Sequence, residues 1–583
     1  MLDECRAVFA ERLKEKGERL ILDSYIPAEG TYLIVERDGS VGSITDLVKD
    51  KKTKEIDCSS LRASDLFYYD YYSQLISMNK PMDVKKIIHS NSYLSFFVKK
   101  ESLINGKLTR EVIDGYFEVL ADPMGTKYQK SKEASRIYEQ FAREKGEVDQ
   151  EKLEFHRSWI LEHIFSLENV DMSRKDYLKI FFRADREEYR REGNRYFLPN
   201  VYNNNSYNTE IDGETYGLPD NNLGMNAKKP FLSIKTRKNP ASYLLNGEEV
   251  ILQKQFFDYL LNMASARKNH IYIDTKKREM IPCGSFEYPG KIENGYYLKI
   301  RKGKTEAEIW EQDNICNYSS VLNPVFEFKN FLQVFHDPKV FPKQNGQYRT
   351  YDNKSEIALL VDQIFFFGKF GGRYDMEPDE IQAKEQILKN NMVLARKAWD
   401  DWFRKGTDHG IIAVMERTVP ELIRYALINE KKNQALRQFN LKWSLERYLL
   451  KDGGCDMGEI ITEIRQKVEE KILSKQTSAV DSDREYFYCV GQLAAYLLSL
   501  SKAKDNKQSL LNPILNARTD EEIKKRVRQL YKKYNYAIPA GSIRVKNLLA
   551  LVMGYVPDDK IDQESIMLGY ACDNIIYNKT EEN

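Results

Sequence analysis

The stretch HGIIAVMERTVPELIRYALINEKKNQALRQFNLKWSLERYLL, residues 409–450, spaces its apolar residues three and four apart over two long runs. That spacing predicts amphipathic helices, because side chains three and four positions apart share one helix face. The same period continues in both directions. Upstream lie EIALLVDQIFFF at 356–367 and a long run at 380–404, with FGGRYD at 370–375 as an interruption. Downstream, five more helical segments are predicted near 457–474, 483–500, 519–534, 542–554 and 562–577, a spacing that suits a bundle. No strand is expected after Lys354.

Before that point the pattern is different. TYLIVE at 31–36, SYLSFFVKK at 92–100, YLKIFF at 177–182 and the text from His270 to Ile309 read as strands. SDLFYYDYYSQLISM at 64–78 and the stretch 128–166 read as helical. Between them a polar segment, 194–248, is crowded with Asn, Gly, Tyr and Pro, which marks a functional loop system or an insert. The expected class is therefore α+β: a mixed α/β N-terminal body over 1–430 and a C-terminal all-helical bundle over 431–583. At 583 residues the chain exceeds what a single core supports.

Hydrophobic residues make up 42% and charged residues 31%, a globular composition. No run approaches the ~20 apolar residues that span a bilayer, and MLDECRAVFAERLKEKG reads as an amphipathic helix without a signal-peptide block. A cytoplasmic protein with no membrane partner is expected. The seven cysteines are far apart and form no CxxC pair, so reduced structural thiols are expected.

Enzyme signatures are weak. The six histidines form no HExxH, and FGKFGG at 367–372 lacks the pattern that wraps phosphates in backbone amides. His156 and His163 share a helix face but have no third ligand. His336-Asp337 matches the dipeptide of HD-type phosphohydrolases, yet stands in a turn-like FHDPK context. No catalytic residue, metal or cofactor is expected.

Net charge is only +2, so any polyanion partner has to be met locally. Between Leu223 and Pro240 there are five cations, Lys228, Lys229, Lys235, Arg237 and Lys238, and no acid. Asn203, Asn204, Asn205, Asn221, Asn222, Gly224 and Asn226 accompany them. Cations attract phosphates whereas Asn amides read base edges; composition alone leaves a plain surface loop equally open. A second cluster holds Lys85, Lys86, His89 and Asn91. A third, 502–546, carries twelve Lys or Arg against four acids, a local net charge of +8. Its candidates are Lys524, Lys525, Arg526, Arg528, Lys532, Lys533, Arg544 and Lys546, with Tyr531, Tyr534, Tyr536 and Tyr555 interleaved.

Three long strings carry a resemblance: YYSQLISMNKPMDVKKIIHSNSYLSFFVKKE, GLPDNNLGMNAKKPFLSIKTRKNP, and the run from Glu485 to Pro539 with the closing GYACDNIIY. They resemble the Csh-type large subunit of type I-B CRISPR Cascade; the region 250–450 matches only loosely. The resemblance implies a non-enzymatic subunit that contacts the 5′ end of the crRNA and reads the protospacer-adjacent motif in target double-stranded DNA. It also implies holding the displaced strand and recruiting a separate helicase-nuclease effector, alongside other Cascade backbone subunits and a small subunit. On that reading Asn221, Asn222, Gly224, Asn226, Lys228 and Lys229 form the motif-reading loop. The family also implies that 457–583 can exist as a separate small subunit, with Met457, after Asp452-Gly453-Gly454, as an internal start. The competing readings are a metal-dependent HD-type nuclease centred on His336-Asp337 and a purely protein-binding helical scaffold.

Overall fold

The structure, a computed structural model, describes the whole chain apart from residues 53–55, 59–63, 74–80, 203–206, 221–242, 304–305, 335–346, 451–456, 476–477, 502–507, 559 and 579–583. It is α+β, about half helix. The chain packs as two compact units: 1–284 with 294–314, and 285–293 with 315–583.

In the first unit the elements run α1 (Leu2–Lys16), α2 (Arg19–Leu22), β1 (Gly30–Val35), β2 (Val41–Leu47), α3 (Leu66–Tyr72), β3 (Ser95–Lys99) and α4 (Lys100–Ile104). They continue with α5 (Arg110–Ala121), α6 (Lys132–Lys145), α7 (Gln150–His163), β4 (Tyr177–Phe182), α8 (Arg186–Phe197), β5 (Thr209–Ile211), β6 (Glu214–Tyr216) and α9 (Gly247–Ser265). Four strands order as β2-β1-β4-β3, with β1 parallel to β4 from Gly30↔Tyr177 to Val35↔Phe182 and the outer pairs antiparallel. Every residue of β1 is buried, as expected of a central strand covered on both faces. Gly30 is required there, since a Cβ would meet the Tyr177 carbonyl oxygen at 2.6 Å. A second sheet, built from β7 (His270–Asp274), β8 (Glu279–Cys283), β9 (Lys291–Lys302) and β10 (Ala307–Ser319), orders as β10-β9-β7-β8.

The second unit begins with the ribbon β11 (Val321–Glu327) and β12 (Thr350–Asn353), and is helical from Lys354 onward among the described residues. Its helices are α10 (Lys354–Phe365), α11 (Gln386–Asp400), α12 (Ile411–Ile428), α13 (Lys432–Leu450), α14 (Met457–Leu473), α15 (Asp483–Ser499), α16 (Asn512–Leu515), α17 (Asp520–Tyr534), α18 (Ile543–Gly554) and α19 (Gln563–Ala571). They share one apolar core running from Leu322 to Ile576. α15 is the central helix: every residue from Glu485 to Leu498 is buried.

This core corrects the expected division at 430/431. α12 and α13, on either side of that point, pack on each other and on α19. Helical periodicity reveals which side of each helix is apolar but not which helix covers it. Elements inside or beside the expected polar segment also went unforeseen, among them α8, which enters it, and two with local signals of their own. One is the β5–β6 hairpin, turned by Asp212 and Gly213 with φ of 50° and 85°. The other is α9, whose capping box pairs Asn246 with Glu249 in both directions. Among the described residues no helix is long and apolar enough to cross a membrane.

Candidate nucleic-acid interface

α17 starts cleanly. The Thr519 side chain accepts from the Glu522 N–H at 3.3 Å, and the Glu522 carboxylate accepts from the Arg518 N–H at 2.8 Å. Three acids, Asp520, Glu521 and Glu522, occupy its first turn and Lys532 and Lys533 its last, the arrangement that complements the helix dipole. Ile523, Val527 and Tyr534 are buried, and the helix packs on α15 and α16.

The opposite side is cationic. Lys525, Arg528 and Lys532 form one row at three- and four-residue spacing, with Arg526 and Lys533 beside it, and all five are exposed. Arg526 donates to the Gln529 side-chain oxygen at 3.2 Å, Arg528 to the Lys524 carbonyl at 3.2 Å, and the Lys533 ammonium lies 5.2 Å from the Tyr534 ring. Among the described residues none of the five has a carboxylate partner, although Lys524 on the same helix does. Tyr536, just beyond the helix, is 66% exposed, whereas Tyr534 is buried and Tyr531 and Tyr555 are half-buried.

Two expected members leave this group. Lys524 is buried: its ammonium pairs with Asp520 at 2.7 Å, donates to the Tyr555 carbonyl and lies over the Tyr486 ring. It staples α17 to its neighbours. Arg544 is half-buried and donates to the Ile576 carbonyl at 3.1 Å and to that of Asn578, tying down the C-terminal turn. Lys546, on α18, is exposed.

The 85–91 cluster is likewise divided. Lys85 and Lys86 are exposed at a loop tip shaped by buried Asp83, whose carboxylate accepts from the N–H groups of Lys85, Ile87 and Ile88 at 2.7–2.9 Å. Asp83 therefore organises the loop and does not sit among the cations. His89 and Asn91 are corrected as surface contacts, because both are buried. The His89 ring meets the Tyr177 hydroxyl at 2.8 Å and the Lys86 carbonyl at 3.2 Å, and burial pushes its pKa down.

Asn203, Asn204, Asn205, Asn221, Asn222, Gly224, Asn226, Lys228, Lys229, Lys235, Arg237 and Lys238 lie outside the described residues, as do His336 and Asp337. The stems on either side of 221–242 are anchored in the first unit. Gly217 and Leu245 exchange both backbone hydrogen bonds at 3.0 Å, and the Asp220 N–H donates to the Val201 carbonyl at 2.8 Å. Gly217 cannot carry a side chain, since a Cβ would stand 2.4 Å from the Tyr202 ring. Met457 is the first residue of α14.

The remaining candidates are structural. His156 stacks on Phe182 at 3.8 Å, and burial pushes its pKa down to about 4; the His163 ring bonds the Trp159 carbonyl. Among the described residues no three His, Cys, Asp or Glu converge as metal ligands. The amides of the FGKFGG stretch turn inward, where Phe370 and Gly372 donate to the buried Asp362 carboxylate at 2.9 and 3.0 Å. Compared with protein-family models, curated proteins and solved structures, the chain matches none.

Proposed function

We propose that this chain is a non-catalytic nucleic-acid-gripping subunit, the large subunit of a crRNA-guided type I-B Cascade complex. The observation that carries the reading is the outer side of α17, where five exposed cations have no carboxylate partner among the described residues. An isolated surface cation costs little, but an aligned row repels itself and gains most from a polyanion laid along it. The resemblance of the three long strings supplies the name. In this reading residues 221–229, which follow the Gly217–Leu245 backbone pair and Asp220 in the chain, read the flanking motif. Guide pairing reads the target, and a separate helicase-nuclease cuts. Its partners are crRNA, target DNA, the Cascade backbone and a small subunit.

The test is the salt dependence of DNA binding by the assembled complex. Reversing Lys525, Arg528 and Lys532 to Glu weakens binding to every sequence and lowers the slope of log K against log salt by about two. Asn222→Ala instead leaves the slope alone and relaxes preference for the flanking motif. An unchanged slope in the triple variant, or an assembled, co-purified complex that yields no crRNA, rejects the proposal.

A further inference from the structure

An acid stands in line with the cationic row of α17. Glu521, Lys525, Arg528 and Lys532 follow one another at spacings of four, three and four residues, so they share one stripe of the helix, opposite the buried Ile523, Val527 and Tyr534. All four are exposed. Each step along the helix axis is about 4.5 or 6 Å, so the carboxylate sits one turn before the first cation.

Three acids occupy the first turn, and two of them have structural roles. The Glu522 carboxylate accepts from the Arg518 N–H at 2.8 Å and completes the cap that Thr519 begins. Asp520 pairs with Lys524 at 2.7 Å and accepts from the Tyr486 hydroxyl. Glu521 has neither role. Among the described residues its side chain makes no hydrogen bond and no ion pair, not even with Lys525, four residues on, a spacing at which Glu and Lys attract.

A first-turn acid complements the helix dipole wherever on the circumference it stands. Its place on the cationic stripe has a separate consequence. A run of phosphates laid over Lys532, Arg528 and Lys525 leads straight on to the helix N-terminus, itself attractive to phosphate. Glu521 stands at that point, and its carboxylate repels the next phosphate. The other end is open: no acid lies between Lys525 and Tyr536, and Tyr536 is 66% exposed. We infer that Glu521 is the stop of a phosphate track on α17, fixing where the polyanion ends its contact and sending it out over the last turn of the helix. The inference rests on the nucleic-acid reading above and adds to it a direction and a closed end.

The experiment titrates the full-length chain with mixed-sequence DNA over a range of salt. Glu521→Lys lengthens the row by one cation and is expected to steepen the slope of log K against log salt by about one. In a chain carrying Lys525→Gln, Arg528→Gln and Lys532→Gln the same change is expected to leave the slope where it was, because no track remains to lengthen. Glu521→Gln separates the stop from a dipole role: the first turn loses a favourable charge, yet binding at low salt strengthens roughly twofold. A slope unmoved by Glu521→Lys while the three Gln changes lower it overturns the inference and leaves the nucleic-acid reading standing. Equal steepening with and without the row means charge acting without a track and also overturns it, as does unchanged or weaker binding by Glu521→Gln. If neither Glu521→Lys nor the three Gln changes move the slope, the nucleic-acid reading falls as well.

Discussion

Single residues show how one side-chain type takes opposite roles. Lys524 and Lys525 are adjacent and chemically identical, yet one is an internal staple and the other faces solvent, because successive helix residues point about 100° apart. Asp362 gives this scale its prediction. Burial pushes its carboxyl up from 3.8 to about 6, against the pull of the Phe370 and Gly372 N–H groups. The folded chain therefore holds this proton more tightly than the unfolded chain does. Its contribution to stability is full below about pH 4 and is lost as pH rises through about 6, a difference of about 3 kcal/mol. Denaturant midpoints of Asp362→Asn should fall less than those of the parent between these limits; parallel pH profiles would rule this out.

At the level of elements, period was legible wherever packing follows from one face. The strand at TYLIVE and the helix at 520–534 are present as expected, and among the described residues no strand follows Lys354. α9 was missed although Asn246 and Glu249 carry its start signal, because the Asn-rich text before it masked the capping pattern. Asn246→Ala should cost about 1 kcal/mol and speed hydrogen exchange in the first turn of α9, leaving its last turn unchanged. The β5–β6 hairpin had an Asp-Gly signal of the same local kind. On α17 the sequence already showed excess charge, and the fold sorted it: a 3.6-residue repeat sends Ile523 and Val527 inward and Lys525, Arg528 and Lys532 outward.

The whole molecule places its boundary where no composition shift announces it. α13 holds α19 through Lys442, 3.0 Å from both carboxylate oxygens of Glu564, and through Trp443, which donates to the same group at 3.3 Å. Lys432 adds a contact to the Tyr570 ring. A polypeptide beginning at Met457 lacks α12 and α13 and should expose the apolar side of α19. We expect such a fragment to bind a hydrophobic dye and self-associate in sedimentation runs; a monomeric, dye-silent fragment would refute this. Helix and strand periods, turn chemistry and local charge excess were readable along the chain, since each depends on neighbours within a few positions. Which helices share a core, that Lys524, His89 and Asn91 are enclosed, and that residues 328–331, 348–350 and 462–466 meet around one cleft depended on contacts between distant segments. No short-range pattern encodes those contacts, because burial is a property of what packs on top of a residue and not of the residue.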